Sequence, residues 1–167
     1  NEVADGDDDP STHGVLFHTG SEYSYGSVAA ADFDGDGRAE IVLPTRGRIS
    51  TNPNRGQLYL LGGDGIPRPG WPITFRGAVT SSPALADLDG DGAPDIIVAT
   101  GSDSVEARAA DGSSLPGWPR SSHMNQNIMS SPGVADVDRD GSLDVAVISG
   151  NGAVSLWHAD GTLFDGF

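Results

Sequence analysis

Apolar residues in this chain come in short runs, each cut off by Gly, Asp, Pro or Asn. Val28–Ala31, Ile41–Leu43, Gln57–Leu61 and Ile73–Phe75 form a first set. Pro83–Ala86, Ile96–Thr100, Val105–Ala109 and a short segment after Trp118 form a second. Gly133–Ala135, Val145–Ile148, Ala153–His158 and a start at Leu163 form a third. Runs of this length, rich in β-branched residues and bounded by turn formers, predict strands. No segment carries a helical period, so the chain reads as all-β.

The sets are copies of one unit. An acidic stretch follows the first strand of each: Asp32-Phe-Asp34-Gly-Asp36-Gly37-Arg-Ala-Glu40, Asp87-Leu-Asp89-Gly-Asp91-Gly92-Ala-Pro-Asp95 and Asp136-Val-Asp138-Arg-Asp140-Gly141-Ser-Leu-Asp144. Their first residues fall 55 and 49 positions apart. A later landmark repeats in register, as Asp64-Gly65…Pro69-Gly70-Trp71-Pro72 and Asp111-Gly112…Pro116-Gly117-Trp118-Pro119, with a worn third version at Asp160-Gly161…Asp165-Gly166-Phe167. Ser81-Ser82-Pro83 and Ser130-Ser131-Pro132 precede two of the loops, and Gly26-Ser27 stands in the first. Four antiparallel strands in a repeat of about 40–50 residues is the size of a β-propeller blade. The expected organisation is an acidic linker or the end of a preceding segment over 1–14 and a partial propeller over 15–167, with blades at 26–77, 80–122 and 129–167. Three blades and one leading strand (Val15–Phe17) do not close a ring. The remainder of a propeller, or a second copy, is therefore expected as a partner.

Charge sharpens the meaning of the loops. The net charge is −15, and the three loops hold twelve of the 24 acidic residues. Half the acid is thus concentrated in nine-residue stretches, where carboxylates repel one another unless a cation joins them. Oxygen ligands at alternate positions, with a glycine at the sharp turn, suit a hard cation such as Ca²⁺. An EF-hand is rejected because its twelfth position needs a bidentate Glu; here that position is Leu43, Val98 or Val147. Three Ca²⁺ would bring −15 to −9, and that balance argues against nucleic acid or an anionic membrane as partner. No apolar run approaches a transmembrane length, so direct membrane insertion is not expected. With no cysteine in the chain, a metal rather than a disulfide would be the cross-link.

The pattern Ala-Asp-x-Asp-x-Asp-Gly-x-x-Asp followed by an apolar strand resembles the FG-GAP/VCBS repeat. That repeat builds calcium-binding β-propellers in integrin α-chains and many bacterial extracellular proteins. The resemblance covers roughly Gly26 to Phe167. The Phe-Gly signature is not literally present, and Ser-Pro-Ala-Leu-Ala-Asp and Ser-Pro-Gly-Val-Ala-Asp place the chain nearer the bacterial VCBS-like subgroup. The resemblance implies that Asp32, Asp34, Asp36 and Glu40, then Asp87, Asp89, Asp91 and Asp95, then Asp136, Asp138, Asp140 and Asp144 hold Ca²⁺. A backbone carbonyl joins each set, from Arg38, Ala93 and Ser142. Gly37, Gly92 and Gly141 are expected at positive φ. Arg139 stands where the other two loops have Gly, with its side chain expected to point outward.

Crowded by protein oxygens, the ion is read as structural, and the resemblance implies that a ligand binds on the opposite face. There the connection from Glu40 to Gln57 takes 17 positions against 10 from Asp95 to Val105. The excess carries Arg46, Arg48, Asn52, Asn54 and Arg55, a local charge reversal in an acidic protein, and long loops on rigid scaffolds often carry function. Arg76 and His123–Asn127 are expected on the same face. Trp71 and Trp118 read as repeated blade-packing residues. The four His lack ligand spacing and read as surface or packing residues. No His-Glu-x-x-His, Gly-x-Ser-x-Gly or phosphate-loop pattern occurs, and acidic pairs for glycosidase chemistry stay open. The expected function is a secreted or surface-exposed, calcium-stabilised module for adhesion or for binding a protein or carbohydrate. The alternatives are a propeller of a polysaccharide-degrading enzyme and an assembly subunit.

Overall fold

In the computed structural model, residues 15–20, 22–47, 55–122, 127, 128 and 130–164 are described. The expected linker at 1–14 lies outside them. Eleven strands make three antiparallel sheets. The first sheet runs in order through β1 (Ala29–Ala31), β2 (Glu40–Pro44), β3 (Arg55–Leu61) and β4 (Ile73–Arg76). The second runs through β5 (Ala84–Ala86), β6 (Asp95–Thr100), β7 (Ser104–Arg108) and β8 (Arg120–Ser121). The third holds β9 (Gly133–Ala135), β10 (Asp144–Ile148) and β11 (Val154–His158), with Leu163 bridged to Trp157 beyond it. Each sheet is a meander of sequential neighbours, as propeller blades are.

The blades stack face to face. All six residues of β6 are buried, because both faces of the second blade are covered. Ile96 and Val98 point into a core with Phe33, Val42, Leu58, Leu60, Trp71 and Phe75 of the first blade. Ile97 and Ala99 point the other way, into a core with Ile128, Val145, Val147 and Trp157 of the third. Strand alternation alone produces this two-sided division. At the third-blade end of the stack the same positions are barer. Phe33 and Leu88, second in their acidic loops, are buried, whereas Val137 is 47% exposed, and Ile148 at the far end of β10 is 46% exposed.

The repeated landmarks are the stitches between blades. The Trp71 indole N–H donates to the Ala110 carbonyl of the next blade (2.8 Å), and Trp118 does the same to Ala159 (2.9 Å). Both tryptophans are buried blade-packing residues, as the sequence predicted. Gly117 precedes the second one because the Asp160 carbonyl oxygen passes where a Cβ would sit, at 1.8 Å. The Ser-Pro landmarks act at the inner strands. Ser81 and Ser130 each donate to, and accept from, the backbone of Ala99 and Ile148 (3.0–3.1 Å). In the first blade Pro44 has no N–H to offer and Gly26 has no hydroxyl. There the Ser24 hydroxyl caps the Pro44 carbonyl instead (2.7 Å).

Candidate metal centres

All three acidic loops connect the first and second strands of their blades, so they lie at one end of the stack. Their backbone is organised by their own carboxylates to a single plan. The first Asp accepts the N–H groups of positions four and six: Asp32 from Gly35 (2.7 Å) and Gly37 (2.8 Å), Asp87 from Gly90 (2.8 Å) and Gly92 (3.0 Å), Asp136 from Arg139 (2.6 Å) and Gly141 (3.1 Å). The third residue accepts from the fifth, and the fifth from the seventh, at 2.7–3.2 Å in every copy. This arrangement folds the loop back on itself and forces positive φ at position six, where Gly37, Gly92 and Gly141 have φ of 84°, 92° and 94°. Position four is also left-handed. Gly35 and Gly90 adopt this freely, while Arg139 does so at φ 67° against the steric preference of a side chain.

The ninth residue closes each loop from the start of the second strand. Glu40, Asp95 and Asp144 are buried, and one carboxylate oxygen of each caps the N–H of position two: Phe33 (2.9 Å), Leu88 (2.9 Å) and Val137 (2.8 Å). What meets each of these acids differs among the blades. Arg68 reaches Glu40 Oε1 with the guanidinium nitrogen that also pairs with Asp34 Oδ2 at 3.0 Å. His158 places Nδ1 3.0 Å from Asp144 Oδ1, with its ring stacked on Phe164. Among the described residues no basic side chain pairs with Asp95. Burial pushes that carboxyl up to about 6, with the Leu88 N–H opposing the rise and Asp89 and Asp91 adding to it.

The donor atoms converge. Asp87, Asp89 and Asp95 place ligand oxygens within 4.8 Å of one another, and so do Asp136, Asp138 and Asp144. In the first loop the convergent set is Asp32, Asp34 and Asp36, without the ninth residue. Asp138, Asp140 and His158 also converge, adding an imidazole nitrogen beside the third loop; the other three sets are carboxylate oxygens, with no sulfur, the donors of a hard divalent cation. These groups could therefore hold a metal, and the residues present fit one. The sequence reading missed Arg68 and His158. Both sit where the repeat alignment could have found them: Arg68 aligns with Leu115 and Phe164, and His158 with Gly62 and Ala109.

At the opposite end, Arg46 lies over the Tyr25 ring (5.4 Å), and Arg55 is paired in register with Arg76. The structure thus brings Arg46, Arg55 and Arg76 to one end of the first blade. Arg48, Asn52, Asn54 and His123–Gln126 lie outside the described residues.

A family model described as FG-GAP-like repeat matches residues 49–98 and 87–147, and a second, FG-GAP repeat, matches 24–61. The chain belongs to the FG-GAP-like repeat family. Repeats of this family are commonly extracellular interaction modules. No curated protein matches the chain. Among solved structures it is similar to the one described as BBS1N in complex with ARL6DN, soaked with lead, at 11% identity and a TM-score of 0.50. That match covers 83% of this chain and 52% of the other, so the chain spans about half its length. The likeness is one of fold.

Proposed function

We propose that this FG-GAP-like chain is a calcium-stabilised β-propeller module, extracellular or at a cell surface, that binds a protein or carbohydrate partner. The observation that carries the reading is the acidic loop built three times to one hydrogen-bonding plan at one end of the blade stack. The ion would be held by the carboxylates of positions one, three, five and nine and the carbonyls of Arg38, Ala93 and Ser142. Its role is to neutralise four crowded acids and lock the turn between two strands; no chemistry is asked of it.

The partner would meet the other end, where Arg46 and Arg55 flank the long connection carrying Arg48, Asn52 and Asn54. Positive charge there contrasts with the acidic loop end, so an anionic protein surface or acidic glycan suits it. A further blade or a second copy would cover the exposed Val137 and Ile148. Among the described residues no helix is long and apolar enough to cross a membrane. Two measurements test the reading. Calcium titrated into chelator-stripped protein should give saturable binding, and a melt that excess EGTA does not move would sink the metal role. Binding to arrayed acidic glycans and matrix proteins should fall when Arg46, Arg48 and Arg55 are replaced together by alanine; unchanged binding removes that face.

A further inference from the structure

The three loops share a backbone plan, yet among the described residues only the first has an arginine inside it, while the third has His158 against Asp144 and the second no basic group. Arg68 spans two of that loop's carboxylates, Asp34 and Glu40, from 34 and 28 residues away. Its main chain is fixed, since the Arg68 N–H donates to Leu60 (2.8 Å) and prolines flank it on both sides. The guanidinium is not a chance surface contact, because two positions differ together in this blade. Leu115 and Phe164 replace Arg68, and Asp95 and Asp144 replace the longer Glu40. With Arg68 in place, the ninth residue leaves the convergent oxygen cluster that its counterparts join.

We propose that Arg68 is a built-in counter-ion that takes the place of the divalent cation at the first loop, so that this blade holds its turn without metal while the second and third depend on it. The inference rests on the calcium reading above and narrows it to the second and third loops, withdrawing the first-loop ion and its Arg38 carbonyl. A Ca²⁺ at the first loop would need Asp34 and Glu40, and both are held by a side chain whose charge repels the ion. Displacing the guanidinium would also strip the buried Glu40 of its ionic partner. Metal sites of this family are thereby divided within one chain: one satisfied internally, two satisfied from solution.

The test isolates the first loop. In a background carrying Asp89→Asn and Asp138→Asn, exposed changes that cripple the other two loops, calcium binding is measured by isothermal titration with and without Arg68→Leu, the residue of the second blade. The expected result is weak binding in the background and at least a tenfold gain in affinity on adding Arg68→Leu. Arg68→Gln, which keeps a polar surface, should give a gain of the same sign and serves if the leucine variant does not fold. Arg68→Lys should give none. Unchanged or weaker binding in both neutral variants overturns the assignment of Arg68 alone. Absence of calcium binding in the unmodified protein overturns the calcium reading itself, and the Arg68 assignment with it.

Discussion

The first and second acidic loops are near-copies in sequence and backbone, and they solve the same electrostatic problem in opposite ways. Each buries its ninth residue and ties one oxygen of it to the N–H of position two. In the first, the second oxygen meets Arg68, and the acid is paired. In the second, no basic group among the described residues arrives, and burial holds Asp95 up at about 6. A repeat therefore conserves the scaffold of a charge cluster without conserving what neutralises it. An unpaired buried acid is costly in the metal-free protein, and that cost is what a bound cation would relieve.

The largest test of this contrast is metal removal. Filling a site at tenfold excess over its dissociation constant stabilises the fold by about 1.4 kcal/mol. Two metal-dependent loops should then cost the melting temperature several degrees when EGTA is added. Hydrogen exchange should locate the loss at 87–95 and 136–144, with 32–40 protected in both conditions. Equal deprotection of all three loops would erase the distinction.

Charge removal at the ninth residue should follow with opposite signs. Without metal, Glu40→Gln leaves Arg68 with one partner fewer and should destabilise by about 1–2 kcal/mol, a value reduced from that of a buried pair because Arg68 is partly exposed. Asp95→Asn keeps an acceptor for the Leu88 N–H and removes a disfavoured charge, so it should stabilise the metal-free protein at pH 7 by about 1–3 kcal/mol. It should also abolish calcium stabilisation at that loop. Denaturant melts in EGTA read both, and two changes of the same sign would break the comparison.

The pH dependence is fixed by the same group. The folded state holds the Asp95 proton up to about pH 6, whereas the unfolded chain releases it near the ordinary value of 3.8. Between these limits the folded state binds more protons. Metal-free stability from this residue is therefore greatest below about pH 4 and declines as the pH rises to about 6. Melts in EGTA across that range should show the decline in the wild type and a shallower one in Asp95→Asn.

The smallest effect concerns the third loop, where Arg139 is left-handed at a position the other loops give to glycine. Arg139→Gly should relieve steric strain worth about 1 kcal/mol, partly offset by the freer unfolded chain. A lower melting temperature for this variant would mean that the arginine side chain contributes more than its backbone costs.

Much of the fold was legible because its determinants are local. The strand runs, the glycines of position six and the pairing of each apolar strand with a preceding acidic loop all follow from turn chemistry and two-residue alternation. The tryptophans were legible through their register, and the indole N–H bonds to Ala110 and Ala159 give that register its reason. His158 was read as a surface or packing residue and proves to stand against Asp144, because its significance depends on cross-strand pairing. The long arginine-bearing connection was legible as an irregularity in spacing, and only Arg46, Arg55 and Arg76 are placed by the structure at its end.

The sequence by itself determined the strands and the acidic loops, since each depends on residues within a dozen positions of one another, and the repeat, since its copies align at a spacing of 55 and 49. Only the tertiary structure decided which loop carries its own cation. Arg68 lies 28 residues from Glu40 and reaches it because β3 returns beside β2 and its closing turn folds over the loop end. Charge pairing across that distance is set by strand register, which is not written in the acidic motif.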